Sequence, residues 1–191
     1  MILPIGYLVA LNTPTIWYRI NPNALEDEVN SLSIQPFEKV DADVTLATKE
    51  FTLETPPDPS LPAGHLLSIP KAGINTQIYE ALTEREGLSK GVWRLSQYGT
   101  PESNDKPVIL AAHRWGDISL SNEYRSQNLF LNLPSAQVGD VITITWDQRV
   151  YNYKVVFKEE TTYVSRLTNL ILITCQFINS PQRIIVYAER I

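Results

Sequence analysis

The feature that most constrains the fold is a series of short apolar runs, separated by turn residues, that begins at residue 65. Residues 140–146 alternate apolar and polar side chains, and Asp147 and Gln148 predict a tight turn into the next run, so this pair is the clearest hairpin. The runs occupy residues 65–69, 73–79, 108–112, 140–146, 150–157, 169–175 and 183–190. Helical patterns are short, at residues 80–86 and 124–133. Many short strands at this spacing predict a closed or nearly closed β-barrel.

Composition narrows the class of protein. Hydrophobic residues make up 43% of the chain and charged residues 19%, which is enough apolar material for a real core. The net charge of −5 and the absence of basic runs argue against a nucleic-acid partner, because phosphate groups need clustered Lys and Arg. With one cysteine and two histidines, the chain has neither an intramolecular disulfide nor a strong zinc motif. We expect no metal and no cofactor.

Residues 1–64 differ from the rest and are interpreted as an N-terminal extension. Residues 1–11 are apolar but shorter than the roughly 20 residues of a membrane-spanning helix. They fit the remnant of a signal anchor and an apolar arm packed on the domain equally well. A short helix beginning near Asn23 is predicted next, and the proline-rich residues 54–64 predict an extended linker. The compact domain is therefore expected to span residues 65–191.

The single cysteine, Cys175, ends an apolar run at the point where a polar loop begins. His113 directly follows another apolar run, and Arg183 begins the last one. A thiol with a pKa of about 8.5 needs a base or a cation beside it to react near neutral pH, and these two residues can supply both. The alternatives are a packed thiol, a surface histidine, and an arginine in a salt bridge with Glu189 or Asp117.

These residues lie in motifs that resemble those of the sortases, the cysteine transpeptidases of bacterial cell surfaces. Residues 110–114, Leu-Ala-Ala-His-Arg, are similar to the family's L-x-G-H-R, and residues 172–175, Leu-Ile-Thr-Cys, are similar to its T-L-x-T-C. Arg183 corresponds to the arginine that opens the family's last strand. The resemblance covers residues 66–191, in family order and with compatible spacing. Ala112 and Ile171 depart from the family's Gly and Thr, and the short gap between Cys175 and Arg183 is closer to the D- and E-like members.

The resemblance implies a closed barrel of about eight strands with a few short helices, and a mechanism. Cys175 would attack the Thr carbonyl of an LPXTG-like sorting signal to form a thioacyl intermediate, while His113 moves the proton and Arg183 binds the oxyanion. The amine that resolves the intermediate would come from a peptidoglycan precursor or from a pilin lysine. Ala112, Thr174 and Trp115 are expected to support the site or to line the substrate groove.

The resemblance also implies a place of action, the extracytoplasmic face of the bacterial cell membrane, with a membrane tether. Two other functions use the same residues or none of them. A thiol hydrolase would release the acyl group to water, and a catalytically silent surface-binding barrel would carry Cys175 as a packed thiol.

Overall fold

The computed structural model describes residues 56–191 except 104, 117, 118, 178 and 179. The predicted extension up to residue 55, including the apolar residues 1–11 and the helix near Asn23, lies outside the described residues. Within the described part of the chain, no helix is long and apolar enough to cross a membrane. The described end of the proline-rich segment contacts the barrel, because the Asp58 amide donates to the Gln148 carbonyl at 2.8 Å. The Gln148 side chain donates in return to the Leu61 carbonyl at 3.1 Å.

Eight strands form a closed barrel in the order β1-β2-β3-β4-β7-β8-β6-β5, which confirms the predicted fold class. The ring closes because β1 pairs with β5 as well as with β2. The pairs β2–β3 and β4–β7 are parallel and the others are antiparallel. The strands are β1 (Leu66–Ile69), β2 (Ile74–Glu80), β3 (Val92–Arg94), β4 (Val108–Ala111), β5 (Val141–Trp146), β6 (Arg149–Thr161), β7 (Leu170–Cys175) and β8 (Arg183–Arg190).

Among the described residues, the strands are accompanied by two short α-helices and two 3-10 turns. Helix α1 (Glu84–Lys90) lies between β2 and β3, and helix α2 (Asn122–Asn128) lies between β4 and β5. The 3-10 turns are Pro70–Ala72 and Leu133–Ser135. The predicted helices at residues 80–86 and 124–133 were therefore misplaced by several residues. The Thr83 side chain caps α1 by accepting from the Glu86 amide at 3.3 Å, which starts the helix there.

The barrel has two hydrophobic clusters. One receives side chains from all eight strands and is the barrel interior. The other lies on the opposite face of β4, β7 and β8, where Ile109, Ile173 and Ile185 pack against Leu88 of helix α1. We call this second face the outer face. Since both faces are covered, β4 and β7 are buried at every position and read as continuous apolar runs rather than as alternating ones.

Helix α1 sits so close to the barrel that Gly87 has no room for a side chain. A Cβ at this position would lie 2.2 Å from Trp93 Cγ. Trp93 is held in turn, because its indole Nε1 donates to the Ala81 carbonyl at 3.3 Å. The absence of a side chain at Gly87 therefore lets the helix pack closely against the outer face.

The substitution Gly87→Ala tests this packing. Alanine favours an exposed helix over glycine by about 1 kcal/mol, but here its Cβ must displace Trp93, and overpacking costs about 1–3 kcal/mol. We expect a lower free energy of unfolding in urea denaturation. Gly64→Ala is the matched control, because a Cβ there meets nothing within 4 Å. A Gly87→Ala protein as stable as the wild type would contradict the packing.

Candidate active site

Cys175 and Arg183 lie at the ends of two neighbouring strands, and His113 lies two residues beyond the end of a third. Cys175 and Arg183 are direct partners in the antiparallel β7–β8 ladder. On the other side of β7, Ala111 of β4 pairs with Ile173 in a parallel ladder. His113 follows Ala111 by two residues, as Cys175 follows Ile173, so His113 continues that register to the level of the thiol.

The three side chains share one face of the sheet. Successive residues of a strand point to opposite faces, and Ala111, Ile173 and Ile185 belong to the outer-face cluster. His113 and Cys175 lie two residues beyond Ala111 and Ile173, and Arg183 lies two before Ile185, so all three extend the outer face. All are buried, with exposed fractions of 5% for His113, 1% for Cys175 and 4% for Arg183.

Hydrogen bonds fix the backbone around these residues. The hydroxyl of Thr174, which is fully buried, donates to the Ala112 carbonyl at 2.9 Å and joins β7 to the segment after β4. The Phe130 amide donates to the His113 carbonyl at 3.0 Å. Thr174 and Ala112 themselves alternate with the site residues, and Ala112 packs into the barrel interior. The Thr174 hydroxyl and the Ala112 carbonyl thus join the two segments, and neither side chain shares the face of the candidate site residues.

The short loop of residues 176–182 returns the chain from Cys175 to Arg183. It closes where the Gln176 amide donates to the Gln182 carbonyl at 2.9 Å. The Arg183 guanidinium donates through Nη1 to the Ser180 carbonyl and, at 3.1 Å, to the Gln182 carbonyl. The cation is thus anchored to the loop that begins at the thiol. Glu189, considered as a salt-bridge partner, lies near the other end of β8 opposite Lys154, and Asp117 lies outside the described residues.

Arg114 supplies a second cation beside the thiol. Its Nη1 donates to the carbonyl of Gln176, the residue after Cys175, and to the Gln176 side-chain oxygen at 3.4 Å. Burial lowers the pKa of Arg114, whereas negative charge on Glu160 and on an ionised Cys175 raises it. The guanidinium lies 4.7 Å from the ring centroid of the half-buried Trp115. Arg114 therefore ties the histidine segment to the cysteine segment and lies within electrostatic range of the sulfur.

Glu84, the first residue of helix α1, is a site residue that the sequence interpretation missed. One carboxylate oxygen, Oε1, is buried and has no hydrogen-bond partner among the described residues. Burial raises the pKa of Glu84 to about 7, and the positive charges of Arg183 and His113 oppose this rise. The pattern Thr83-Glu-Arg-Glu86 is a helix-start signal that would have placed Glu84 at the start of its helix. How close Glu84 lies to Cys175 depends on how that helix packs on the outer face.

A buried thiol, imidazole and guanidinium near adjacent strand ends of a mostly antiparallel barrel are groups that a cysteine acyl-transfer enzyme can use. A sortase-domain family model matches residues 67–191. The chain belongs to the sortase family. It is a cysteine transpeptidase that acts on sorting signals, and membership of this family favours that activity over a simple hydrolase or a silent barrel.

Solved structures show the same fold. A lid mutant of sortase A from Corynebacterium diphtheriae is 24% identical with a TM-score of 0.54, covering 68% of this chain and 70% of that one. A lid mutant of Streptococcus agalactiae sortase C1 is 25% identical with a TM-score of 0.53, covering 69% and 71%. A Clostridium perfringens sortase D5 transpeptidase is 25% identical with a TM-score of 0.51, covering 68% and 79%. No curated protein matches significantly. These structures represent three subclasses and do not distinguish among them.

The raised pKa of Glu84 makes stability depend on pH. The folded state holds this proton more tightly than the unfolded chain, whose carboxyl has a pKa near 4.5. Protonation of Glu84 therefore stabilises the folded state fully below about pH 4.5, and this stabilisation is lost by about pH 7. Between these pH values we expect the free energy of unfolding to fall by about 1–2 kcal/mol more in the wild type than in Glu84→Gln, after discounting for partial exposure. Urea denaturation at both pH values measures this, and identical pH profiles for the two proteins would contradict it.

Proposed function

We propose that Cys175 is the nucleophile that attacks the Thr carbonyl of an LPXTG-like sorting signal. The observation that carries this proposal is the level placement of Cys175, His113 and Arg183 on one face of three neighbouring strands. The sulfur would form a thioester with the acyl part of the signal, and the amine of the following residue would leave. An incoming amine would then attack the thioester carbonyl, form an amide bond and release the thiolate.

His113 is the proton carrier in this scheme. The departing amine must gain a proton, and the incoming amine must lose one after it attacks. An imidazole level with the sulfur, and buried with it, can do both without exchange with bulk water. Its carbonyl is bound by the Phe130 amide, which holds the backbone of this segment in place.

Arg183 stabilises the negative charge that develops on the carbonyl oxygen. A guanidinium stays charged at any working pH, and its fixed fork of donors suits an oxyanion. In a buried site such donors act at low dielectric and are oriented before the reaction starts. The carbonyl contacts from Ser180 and Gln182 supply that orientation here.

Supporting roles are proposed for four neighbours. Thr174 and Ala112 keep β7 in register with the histidine segment through their hydrogen bond. Arg114 holds the Gln176 carbonyl and adds positive charge near the thiolate. Trp115, half-buried beside Arg114, offers an apolar wall to a peptide.

The finer details of partner and place are also proposals. The acceptor amine would come from a peptidoglycan precursor or a pilin lysine, and the enzyme would work on the outer face of the bacterial membrane. Residues 1–64 would form an extension that tethers the barrel and residues 65–191 the catalytic domain. Asp58 and Leu61 form hydrogen bonds with Gln148 in the β5–β6 turn, so the extension would meet the barrel at that turn.

The test is a peptide that carries an LPXTG-like signal, incubated with Nα-acetyl-lysine amide and followed by mass spectrometry. We expect the wild type to release the C-terminal fragment and to join the acyl fragment to the lysine side chain. Cys175→Ala should do neither, because the nucleophile is missing. Unchanged cleavage by Cys175→Ala would overturn the proposal.

The same assay tests Arg183. We expect Arg183→Ala to lower turnover by about 100-fold or more, the usual effect of removing an oxyanion donor, while circular dichroism shows an intact fold. Arg149→Ala is the matched control, because Arg149 pairs with the partly exposed Glu102 at 3.1 Å, away from the thiol. Turnover equal in the two arginine variants would assign Arg183 a structural role only.

A further inference from the structure

Glu84 begins helix α1, which packs on the outer face of the strands that carry the proposed catalytic residues. It is one helical turn from Leu88, so the two side chains share a face of helix α1. Leu88 is 1% exposed and packs into the outer-face cluster with Ile173 and Ile185. The charges of Arg183 and His113 both act on the Glu84 carboxyl, so this carboxyl lies near the strand ends that carry the thiol.

The surroundings of the Glu84 carboxyl contain cations. The charges that act on it from neighbouring elements are those of Arg183 on β8 and of His113 after β4. On its own helix, Glu86 is paired with Lys90 at 2.7 Å, and Arg85 is exposed. The buried oxygen Oε1 has no hydrogen-bond donor among the described residues. A buried carboxylate oxygen without a donor is costly, and a ligand that brings a donor would satisfy it.

The second half of the proposed reaction, the attack of the acceptor amine, needs a carboxylate at the site. A primary amine with a pKa of about 8 to 10 arrives at neutral pH mostly as an ammonium ion, which repels other cations and cannot attack a carbonyl until it loses a proton. Arg183 and Arg114 keep their positive charge throughout, and both flank Cys175. A cationic acceptor therefore needs a carboxylate at the site, both to offset this repulsion and to receive a proton.

We propose that Glu84 binds the ammonium group of the incoming acceptor and takes its first proton. This inference rests on the proposed function, because it concerns the acceptor step of the same site. The ammonium gives one proton to the Glu84 carboxylate and becomes a neutral amine. The amine nitrogen then bonds to the thioester carbonyl carbon, passes its second proton to His113, and the carbon–sulfur bond breaks to release the Cys175 thiolate.

The other carboxylates near the site are engaged differently. Glu159 accepts hydrogen bonds from Ser165 and, at 2.7 Å, from Tyr187. The negative charge of Glu160 raises the pKa of Arg114. Glu84 also titrates nearer to the pKa of an amine than an ordinary carboxyl does, since its pKa is raised to about 7 from 4.5. Proton transfer from an ammonium to Glu84 is therefore less unfavourable than transfer to an exposed glutamate.

The test is an internal competition between two acceptors in one tube. Nα-acetyl-lysine amide is cationic at neutral pH, whereas hydroxylamine is mostly uncharged and does not need a carboxylate. With the LPXTG-like peptide as acyl donor, we expect Glu84→Gln to lower the ratio of lysine adduct to hydroxylamine adduct by about tenfold or more relative to the wild type. Glu86→Gln, two residues along the same helix, is the matched control and should keep the wild-type ratio.

The outcomes separate this inference from the function on which it rests. If the wild type makes neither adduct, the proposed function fails. If Glu84→Gln keeps the wild-type ratio, Glu84 does not bind the acceptor and the inference is overturned. This includes the outcome in which both adducts decrease by the same factor. If Glu84→Gln makes too little of either adduct to measure, Glu84→Asp and Glu84→Asn are compared. The ratio must then be higher for the charged aspartate, and equal ratios would overturn the inference.

Discussion

The register of β4, β7 and β8 is the constraint on which the site depends. Parallel pairing of β4 with β7 and antiparallel pairing of β7 with β8 bring the end of one strand level with the beginning of another. A shift of one residue in β7 would turn Cys175 to the barrel interior and Thr174 to the outer face. The bond from the Thr174 hydroxyl to the Ala112 carbonyl extends the alignment past the last paired residues of β4. No local property of the cysteine would place it beside a base without this register.

Helix α1 covers part of the outer face. It packs there so tightly that a Cβ at Gly87 would meet Trp93, and its Leu88 joins the outer-face cluster. Charges that are buried in this way interact more strongly than they would in water. Burial covers the thiol, the imidazole and the guanidinium, and it also raises the pKa of Glu84. One packing interaction thus shapes both the acyl-forming and the acceptor sides of the proposed reaction.

Much of the fold could be predicted from the sequence because its strands are continuous apolar runs with clear turns. Strand β3, only Val92–Arg94, was missed because three residues are too few to show a period. Helix α1 was placed too early because Glu80 still belongs to β2 and the capping residue, Thr83, was overlooked. The candidate residues Cys175, His113 and Arg183 could be proposed from the sequence because each ends, follows or begins an apolar run. Glu84 was not proposed from the sequence, because its position near Arg183 and His113 arises from packing between elements distant in sequence.

The most direct test of the central claim is to trap the acyl-enzyme on Cys175. The wild-type protein is mixed with the LPXTG-like peptide in the absence of amine, quenched in acid and weighed by intact mass spectrometry, with fragmentation to locate the adduct. We expect an added mass equal to the acyl fragment, joined to Cys175, that disappears when amine is supplied before the quench. Product formation with no adduct on Cys175, or with the adduct on another residue, would contradict it.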